Sequence, residues 1–306
     1  MIAVDLFAGG GGFTEGAEMA GVRVKWAGNH SQVAVQTHAA NHPRTIHVCQ
    51  DLHQADWSQV PAHDLLLASP CCQGHSPARG RAANNPQHDA NRSTAWAVVS
   101  ALEYHRPALG LVENVREFVE WALYPAWRLA VQALGYQVAP HLVDAADHGV
   151  PQHRERLFLV LSRSSRPLML QLPQREHVPA ADIIDFSSGR WSPIEKPGRA
   201  SATLARIAQG RKTYGDRFVM PYYGSGSGTT GRSLARPLGT VTTRDRWALV
   251  NGDQMRMLSA DECRAAMGFP AGYRLPEQHR TAVHLLGNAV CPPVARDIVT
   301  AIKEAA

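Results

Sequence analysis

Residues 2–13 have the sequence IAVDLFAGGGGF, an apolar run that leads directly into four consecutive glycines. The run Ile2–Phe7 predicts a buried β-strand, Ala8–Gly12 predicts a tight turn, and a helix is expected from Phe13 to about Ala20. In α/β proteins such a turn lets the backbone approach a ligand closely at the N-terminus of a helix. The glycine spacing is not that of a P-loop, since no Gly-Lys-Ser/Thr follows, and a triphosphate site is therefore not expected.

The alternation of short apolar runs with helical patterns continues over the first 160 residues, as in repeated βαβ units. A helix after the second strand is expected to begin at Ser31, a favoured N-cap residue. We therefore predict an α/β fold built on a doubly wound sheet. The further predicted strands are Val22–Ala27, Leu65–Ala68, Leu109–Glu113 and the pair Val138–Val143 and Leu157–Leu161, with helices over Thr94–Tyr104 and Tyr124–Leu134.

Regular periodicity fades between Ser162 and Leu234, where Pro, Gly, Ser and Arg are frequent. It returns with a strand pattern over Thr240–Val250 and a capping-box signature at Ser259-Ala-Asp-Glu262, which predicts the start of a helix. A last helix is expected from about Pro293 to Ala305. The chain is thus organised as a regular body, an irregular segment, and a C-terminal part that we expect to return to the body.

Charge is distributed unevenly along the chain. The 306 residues include 31 Lys and Arg and 26 Asp and Glu, a net charge of +5. Residues 163–246 contain 14 basic and six acidic side chains, a net charge of +8, so the rest of the chain is slightly acidic. One arginine-rich segment on a near-neutral body is typical of a module that binds phosphate groups and base edges. A genome rich in G and C would also favour arginine, but it does not account for the uneven net charge.

Composition excludes several classes of protein. With 44% hydrophobic and 19% charged residues the chain is typical of a soluble globular protein. No apolar run approaches the roughly 20 residues that a membrane span needs, and the N-terminus lacks the features of a secretory signal. The cysteines form no CxxC pair and no disulfide pattern, which indicates a reducing compartment, and we predict no metal site. The five cysteines are Cys49, Cys71, Cys72, Cys263 and Cys291.

Reactive side chains follow neighbouring predicted strands. The loop SPCCQGHS, residues 69–76, comes directly after the strand Leu65–Ala68, and Glu113 ends the next strand. Because the carboxyl ends of parallel strands meet at one edge of a sheet, we expect a thiol and a carboxylate to lie close together there. A cysteine on such a loop is a candidate nucleophile, although most lone cysteines are buried packing residues. Arg154 and Arg156 have the i,i+2 spacing that places side chains on one face of a strand.

Six motifs in this order resemble those of the DNA (cytosine-5) methyltransferases, and they extend over nearly the whole chain. DLFAGGGGF resembles the S-adenosylmethionine motif, PCCQGHS the nucleophile loop, ENV the acid motif and PQHRERLFLV the arginine motif. RPLGTVTT and LLGNAVCPPVA resemble the late motifs that follow the target-recognition domain. The resemblance implies a Rossmann-like methyltransferase sheet with a second, smaller domain. The implied domains are 1–162 for catalysis and cofactor binding, 163–236 for target recognition, and 237–306 returning to the catalytic domain.

The resemblance also assigns roles to individual residues. Cys72, directly before Gln73, matches the nucleophile, Glu113 matches the acid that engages the cytosine ring, and Arg154 and Arg156 match the arginines beside the base and the thiolate. Phe7 corresponds to the aromatic residue that packs on the cofactor adenine. The residues implied to bind the cofactor are Asp5, Phe7, Gly9, Gly11, Asn29, His30, Asp51, Leu52, Asn288 and Ala289.

The chemistry of cytosine accounts for this set of residues. Carbon 5 is a poor nucleophile until a thiolate adds to carbon 6 while an acid donates to the ring nitrogen. The arginines are candidates for lowering the pKa of the thiol. Because the target carbon is stacked inside a duplex, the base must be flipped out. The implied cofactor is S-adenosylmethionine, which leaves as S-adenosylhomocysteine, and the implied partner is double-stranded DNA.

The chain departs from the family pattern at three positions. Cys71 stands where a proline usually precedes the nucleophile, His75 replaces the more usual phenylalanine, and Asn29 stands where an acid usually binds the cofactor ribose. Asparagine can bond two hydroxyl groups, but without charge assistance. The adjacent thiols Cys71 and Cys72 could also form a strained disulfide.

The resemblance further implies a monomeric, cytoplasmic enzyme of bacterial or phage origin that associates with the nucleoid and can have a separate restriction endonuclease as its partner. Three other functions compete with this reading. The first is the same chemistry on RNA, and the second is a catalytically inactive partner protein, against which the complete set Cys72, Glu113 and Arg156 argues. A nicotinamide dehydrogenase is disfavoured because the glycines do not follow GxGxxG and no acid occupies position 29.

Overall fold

The computed structural model describes residues 1–71, 93–222 and 231–305, and the chain divides into two compact units. The first unit comprises Met1–Asp144, Glu155–Pro173 and Ala289–Ala306, and the second comprises Ala145–Arg154 and Gln174–Asn288. None of the helices in the described ranges is long and apolar enough to cross a bilayer.

The first unit is built on a seven-stranded sheet with the order β3-β2-β1-β4-β5-β7-β6. Strands β1 to β5 are parallel, and β7 runs antiparallel to both of its neighbours, β5 and β6. This confirms the predicted α/β fold and the predicted strand pair, which the structure shows to be antiparallel. The strands are β1 (Ile2–Leu6), β2 (Arg23–Asn29), β3 (Ile46–Cys49), β4 (Leu65–Ala68), β5 (Leu109–Asn114), β6 (Gln137–Asp144) and β7 (Glu155–Ser162).

Helices pack on this sheet, and the local sequence explains where they begin. Ser31 is the N-cap of α2, where its hydroxyl accepts a hydrogen bond from the backbone N–H of Ala34 at 3.4 Å, as predicted. Gly16 lies at the contact between α1 and α8, where a side chain would collide with Ala295. The helices of the chain are α1 (Gly12–Met19), α2 (Gln32–Asn41), α3 (Ala95–His105), α4 (Tyr124–Ala133), α5 (Ser201–Tyr214), α6 (Ala260–Ala266), α7 (His279–Asn288) and α8 (Pro292–Ala305).

The central strands are apolar because they are covered on both faces. All four residues of β4 are fully buried, as expected for a strand in the middle of a parallel sheet. The core around them includes Trp26, Phe118, Trp127 and Tyr136. The polar tips of two of these rings are satisfied, since Trp127 donates to the carbonyl of Ala95 at 2.9 Å and Tyr136 donates to that of Pro107 at 2.7 Å.

The second unit contains a four-stranded antiparallel sheet with the order β8-β11-β10-β9. Its core is a separate cluster that includes Ile207 of α5 and Phe218. The capping box at the start of α6 is confirmed, with Ser259 and Glu262 bonded reciprocally. The strands are β8 (Ser192–Pro193), β9 (Arg217–Pro221), β10 (Trp247–Asn251) and β11 (Gln254–Met257).

The second unit differs from the sequence prediction in two places. The predicted strand Thr240–Val250 is wrong in its first half, since β10 begins only at Trp247. In the residues before β10, the backbone N–H of Val241 donates a hydrogen bond to the Gln152 side chain at 2.7 Å instead of to a neighbouring strand. Helix α5 and strand β9 lie in the stretch where periodicity fades. Only Thr203, Ile207 and Gly210 of α5 are buried, which leaves little amphipathic signal to detect.

The unit boundaries fall at other positions than the predicted domain limits. Residues 145–154 and 237–288 are in the second unit, and residues 289–306 are in the first. Side-chain hydrogen bonds join residues 145–154 to residues 237–288. Gln152 donates to the carbonyl of Ala266 at 2.8 Å, and Arg154 donates to the carbonyl of Val241 at 3.1 Å. The assignment of residues 163–236 to target recognition stays a prediction.

Candidate active site

The carboxyl ends of the parallel strands bring five chain segments to one edge of the first unit's sheet. The turn after β1 is tied to both neighbouring strands, because the N–H of Ala8 donates to Gly28 and that of Ser69 donates to Leu6, each at 3.1 Å. The segment after β3 joins them, since the N–H of Gln50 donates to the carbonyl of Asn29 at 3.1 Å. Glu113 near the end of β5 completes the edge. Ligands of α/β sheets bind at this edge.

The glycine-rich turn is shaped for close approach of a ligand to its backbone. Gly9 and Gly11 have positive φ angles of 54° and 96°, and a Cβ added at Gly9 would meet nothing nearer than the Phe7 carbonyl oxygen at 3.9 Å. No side chain caps the N-terminus of α1. Phe7 itself has a φ of 59°, a conformation that is uncommon for an aromatic residue and that concentrates at functional sites.

Asp5 lies beneath this turn and is fully buried. The Thr14 hydroxyl donates to its Oδ2 atom at 2.8 Å. Burial raises the pKa of Asp5 to about 7, against the opposing effects of the Thr14 hydrogen bond and the charge of His42. Since Asp5 has no exposed surface, any effect on a ligand is transmitted through the turn above it.

Asn29 is the last residue of β2 and His30 follows it, and the two side chains differ in their exposure to solvent. His30 is exposed, whereas Asn29 is buried and its Oδ1 atom accepts a hydrogen bond from the backbone N–H of Ser31 at 2.9 Å. The Asn29 oxygen is therefore engaged in the turn, and the Nδ2 group is the part of this side chain that remains for a ligand.

The other residues expected at the cofactor are divided between the two units. In the first unit Asp51 is exposed and caps a short 3-10 helix, Leu52–Gln54, in which Leu52 is buried. Ala289 begins the last segment of that unit and is also buried. Asn288 is exposed at the end of α7 in the second unit, with its Nδ2 atom 3.3 Å from Nε2 of His284.

Glu113 and Arg156 form an ion pair on adjacent strands. The Nε atom of Arg156 lies 3.3 Å from Oε1 of Glu113, and the side chains are 18% and 8% exposed. Because both groups are largely removed from water, the pair orients the carboxylate more firmly than a surface ion pair would. The structure thus brings together two of the four residues expected to be catalytic.

Arg154 has different partners from Arg156. It precedes the first residue of β7, belongs to the second unit, and donates to the carbonyls of Val241 and Gly287 at 3.1 and 3.0 Å. It is almost completely buried. The i,i+2 spacing does not make the two arginines equivalent, because the strand begins between them. The structure gives Arg154 the contacts of a residue that holds the late motifs in place.

Cys72 lies outside the described residues, but the chain on both sides of the undescribed segment is anchored. The Asn114 side chain donates to the carbonyl of Pro70 at 3.1 Å, and the backbone N–H of Cys71 donates to the Thr94 hydroxyl at 3.0 Å. Neither Asn114 nor Thr94 was predicted as a site residue. Asn114 is part of the ENV motif, which is the one signal that could have identified it.

Within the described ranges, no group of His, Cys, Asp and Glu side chains could hold a metal ion. None of the cysteines in the described ranges is in a disulfide bond, and Cys263 and Cys291 are buried. Burial raises the pKa of the Cys263 thiol to about 12, which makes it unreactive.

The fold and the site define a class of protein, the Rossmann-like methyltransferases. The chain superposes over its full length on a crystal structure described as a DNA modification methyltransferase encoded within an E. coli prophage, with a TM-score of 0.73, 21% identity and 99% of that chain covered. This likeness concerns the fold.

The sequence comparisons identify the family within this class. The model of the C-5 cytosine-specific DNA methylases matches residues 1–196 and 187–304, and the chain belongs to this family. It is 27% identical to the type II methyltransferase M.NlaX of Neisseria lactamica, over 99% of this chain and 96% of that one. It is also 27% identical to the DNA-cytosine methyltransferase of Escherichia coli K12, over 95% and 75% of the two chains. The protein is therefore a DNA cytosine-5 methyltransferase, which confirms the predicted family and enzyme class.

Proposed function

We propose that this enzyme transfers a methyl group from S-adenosylmethionine to carbon 5 of cytosine in a specific sequence of double-stranded DNA, through a covalent adduct of Cys72 with a flipped base. The observation that carries the proposal is the Glu113–Arg156 pair at 3.3 Å. Glu113 lies on β5, the strand next to β4, after which the loop bearing Cys72 begins. Asn114 ties the start of that loop to β5.

The residues at the sheet edge fit S-adenosylmethionine as the methyl donor. A Cβ added at Gly9 would meet no described atom nearer than 3.9 Å, and the carboxylate of Asp51 and the Nδ2 group of Asn29 are polar partners for a nucleoside. We propose that Phe7, Asp51 and Leu52 hold the adenine, that Asn29 and His30 hold the ribose, and that Gly9, Gly11, Asn288 and Ala289 line the site. When bound, the donor supplies an electrophilic methyl group on a sulfonium.

The protein side chains then make cytosine able to attack that methyl group. The Cys72 thiolate adds to carbon 6 while Glu113 donates a proton at ring nitrogen 3, and carbon 5 becomes nucleophilic. Arg156 fixes the orientation of the Glu113 carboxyl and adds positive charge beside the base. After methylation a base removes the proton from carbon 5 as the thiolate leaves, and the proton on nitrogen 3 returns to Glu113, which restores the aromatic ring. Arg154 supports this geometry through its bonds to the Val241 and Gly287 carbonyls.

Residues 163–236 are proposed to recognise the target sequence, because they contain 12 basic and five acidic side chains, a net charge of +7, whereas the rest of the chain is slightly acidic. We further propose that the enzyme acts as a monomer and protects the sites of a separate restriction endonuclease, in line with the type II names of its relatives.

A trapping experiment tests the covalent step. Duplexes with 5-fluoro-2′-deoxycytidine in mixed sequence contexts are incubated with the protein and S-adenosylmethionine, since fluorine at carbon 5 cannot leave as a proton. We expect an adduct stable to denaturation from the parent and from Cys71→Ala, whose backbone bond to Thr94 is kept. Cys72→Ala should give none. An adduct formed by Cys72→Ala would refute the role of Cys72. Trapping on RNA but not on duplex DNA would refute DNA as the substrate.

A further inference from the structure

A chain of polar side chains connects the buried Asp5 with the surface of the first unit. Thr14 of α1 donates from its hydroxyl to Asp5 Oδ2 at 2.8 Å. The Nε2 atom of His38 on α2 lies 3.0 Å from the same hydroxyl, and its Nδ1 atom lies 2.8 Å from Nε2 of His47 on β3. Asp5, Thr14 and His38 are buried, whereas His47 is partly exposed.

While Asp5 is ionised, the hydrogen bonds that link Asp5, Thr14, His38 and His47 can be donated in one direction only. The Thr14 hydroxyl has one proton, which it donates to Asp5, so it must accept a hydrogen bond from His38. The Nε2 atom of His38 therefore carries a proton, and its Nδ1 atom accepts from His47. Each of these three hydrogen bonds is therefore donated in the direction of Asp5. The Asp5 Oδ1 atom is buried without a hydrogen-bond partner among the described residues, so Thr14 carries the side-chain stabilisation of the carboxylate.

Burial, together with the charge of neighbouring side chains, keeps His38 neutral. Its pKa is lowered well below the usual value, mainly by burial and then by the charge of His42. The His42 ring lies 4.8 Å from that of His38 and is bonded in turn to Glu18 at 3.1 Å, with Glu15 at 3.7 Å. Burial also lowers the pKa of His47. Helix α8, which packs on α1, contributes the Arg296–Asp297 pair, joined at 2.9 Å.

We infer that His38 is a positioning residue of the methyl-donor site, which acts through Thr14 to hold the Asp5 carboxylate ionised and correctly oriented beneath the glycine-rich turn. The inference rests on the proposed use of S-adenosylmethionine. That donor carries a net positive charge, whereas S-adenosylhomocysteine has none, so a buried carboxylate beneath the turn favours binding of the methyl donor over that of the product. Tight product binding is thereby avoided by a group that contacts neither molecule.

The test measures the affinities of S-adenosylmethionine and S-adenosylhomocysteine by calorimetry from pH 5.5 to 9. In the full-length parent, binding of S-adenosylmethionine should strengthen as the pH rises through the pKa of Asp5, about 7, and binding of S-adenosylhomocysteine should change less. Thr14→Val and His38→Leu should move this midpoint to higher pH and weaken S-adenosylmethionine binding about fivefold or more at pH 7, as expected for loss of a hydrogen bond to a charged group. His38→Gln should restore the parent profile, since its amide can donate to Thr14 and accept from His47.

Two controls separate this role from a structural one. His63→Gln replaces a partly buried histidine of the first unit that is not bonded to Asp5, Thr14 or His38, and it should leave both profiles unchanged. Thr14→Val keeps His42 and both glutamates, so a shifted midpoint in this variant reports on Asp5 even if His38→Leu does not fold. A midpoint equal to that of the parent in Thr14→Val, or in folded His38→Leu, would overturn the inference alone. Failure of the parent to bind either compound at any pH would contradict the proposed function, and this inference with it.

Discussion

At the scale of single residues, the site depends on how two charged side chains are paired. Glu113 and Arg156 are on adjacent antiparallel strands and are joined at 3.3 Å, with both side chains largely withdrawn from water. Breaking such a pair leaves an uncompensated charge, so each partner matters for structure as well as for chemistry. A useful substitution at Glu113 must therefore keep its volume and hydrogen bonding.

Glu113→Gln meets this requirement and is expected to slow methyl transfer by about 100-fold or more, because an amide cannot donate the proton that general acid catalysis supplies. Single-turnover kinetics on duplex DNA measures the chemical step. Binding of S-adenosylhomocysteine should change little and serves as the control, whereas thermal unfolding measures the cost of leaving Arg156 without its counter-charge. A Glu113→Gln enzyme that methylates at the parent rate would show that the carboxyl is not the acid.

The sequence predicted part of this site because the motifs specify which residue types follow which strands. Glu113 and Arg156 were both expected at the site, from the end of a predicted strand and from the arginine motif, but their ion pair was not predicted. The anchoring bonds Asn114–Pro70 and Cys71–Thr94 could not be predicted, since they join residues 44 and 23 positions apart and depend on the final placement of the loop ends. The carbonyl partners of Arg154 are 87 and 133 positions away and were equally inaccessible.

At the scale of elements, the contact between α1 and α8 depends on Gly16, which has no side chain. A Cβ added at Gly16 would lie 2.4 Å from the Ala295 Cβ and 2.5 Å from the Pro292 carbonyl oxygen. Both are parts of α8, so one of the two helices must move to make room. Helix α1 begins at the glycine-rich turn, and this contact therefore bears on the geometry of the cofactor site as well as on stability.

Gly16→Ala is expected to lower the free energy of unfolding by about 1–3 kcal/mol, the usual cost of overpacking. Gly272→Ala is the matched control, because a Cβ there meets no atom of the described residues within 4 Å, and its effect should stay within about 0.5 kcal/mol. Chemical denaturation of both variants measures the difference. An equal effect of the two substitutions would show that the helices are not closely packed at Gly16.

Elements were predictable where their signals are local. The Ser31 cap and the Ser259–Glu262 capping box depend on residues three positions apart, and the structure confirms both. Helix α5 gave no such signal, because it has no side-chain cap and contains Gly210 in its interior. That glycine is explained only by tertiary contact, since a Cβ would lie 2.4 Å from the ring of Phe218.

At the scale of the whole molecule, the excess of arginine is not all available for DNA. Arg199 donates to the carbonyls of Ile194 and Pro193 and to the Tyr222 hydroxyl, at 3.2, 3.1 and 3.1 Å. Arg190, in contrast, is exposed and has no hydrogen bond or ion pair in the described ranges. Net charge along a sequence predicts that a segment is basic, but the fold decides which guanidinium groups remain for a ligand.

These two arginines form a matched pair for testing DNA recognition. Arg190→Ala should flatten the slope of log affinity against log salt concentration by about 0.9 units, the effect of one lost phosphate contact on duplex DNA. Arg199→Ala should lower the stability of the second unit and leave the salt slope unchanged. Affinities for duplexes at several salt concentrations, with a thermal unfolding curve for each variant, distinguish these effects. An unchanged slope in Arg190→Ala would remove this residue from the DNA interface.

The central claim is that the protein methylates carbon 5 of cytosine in DNA by means of Cys72. The most direct measurement is base-resolution sequencing of 5-methylcytosine in DNA from cells that lack their own cytosine methylation and express either the parent or Cys72→Ala. We predict methylation confined to one short recognition sequence with the parent and none with Cys72→Ala. Unmethylated DNA in cells that make the folded parent protein, or methylation that persists in Cys72→Ala, would contradict the account.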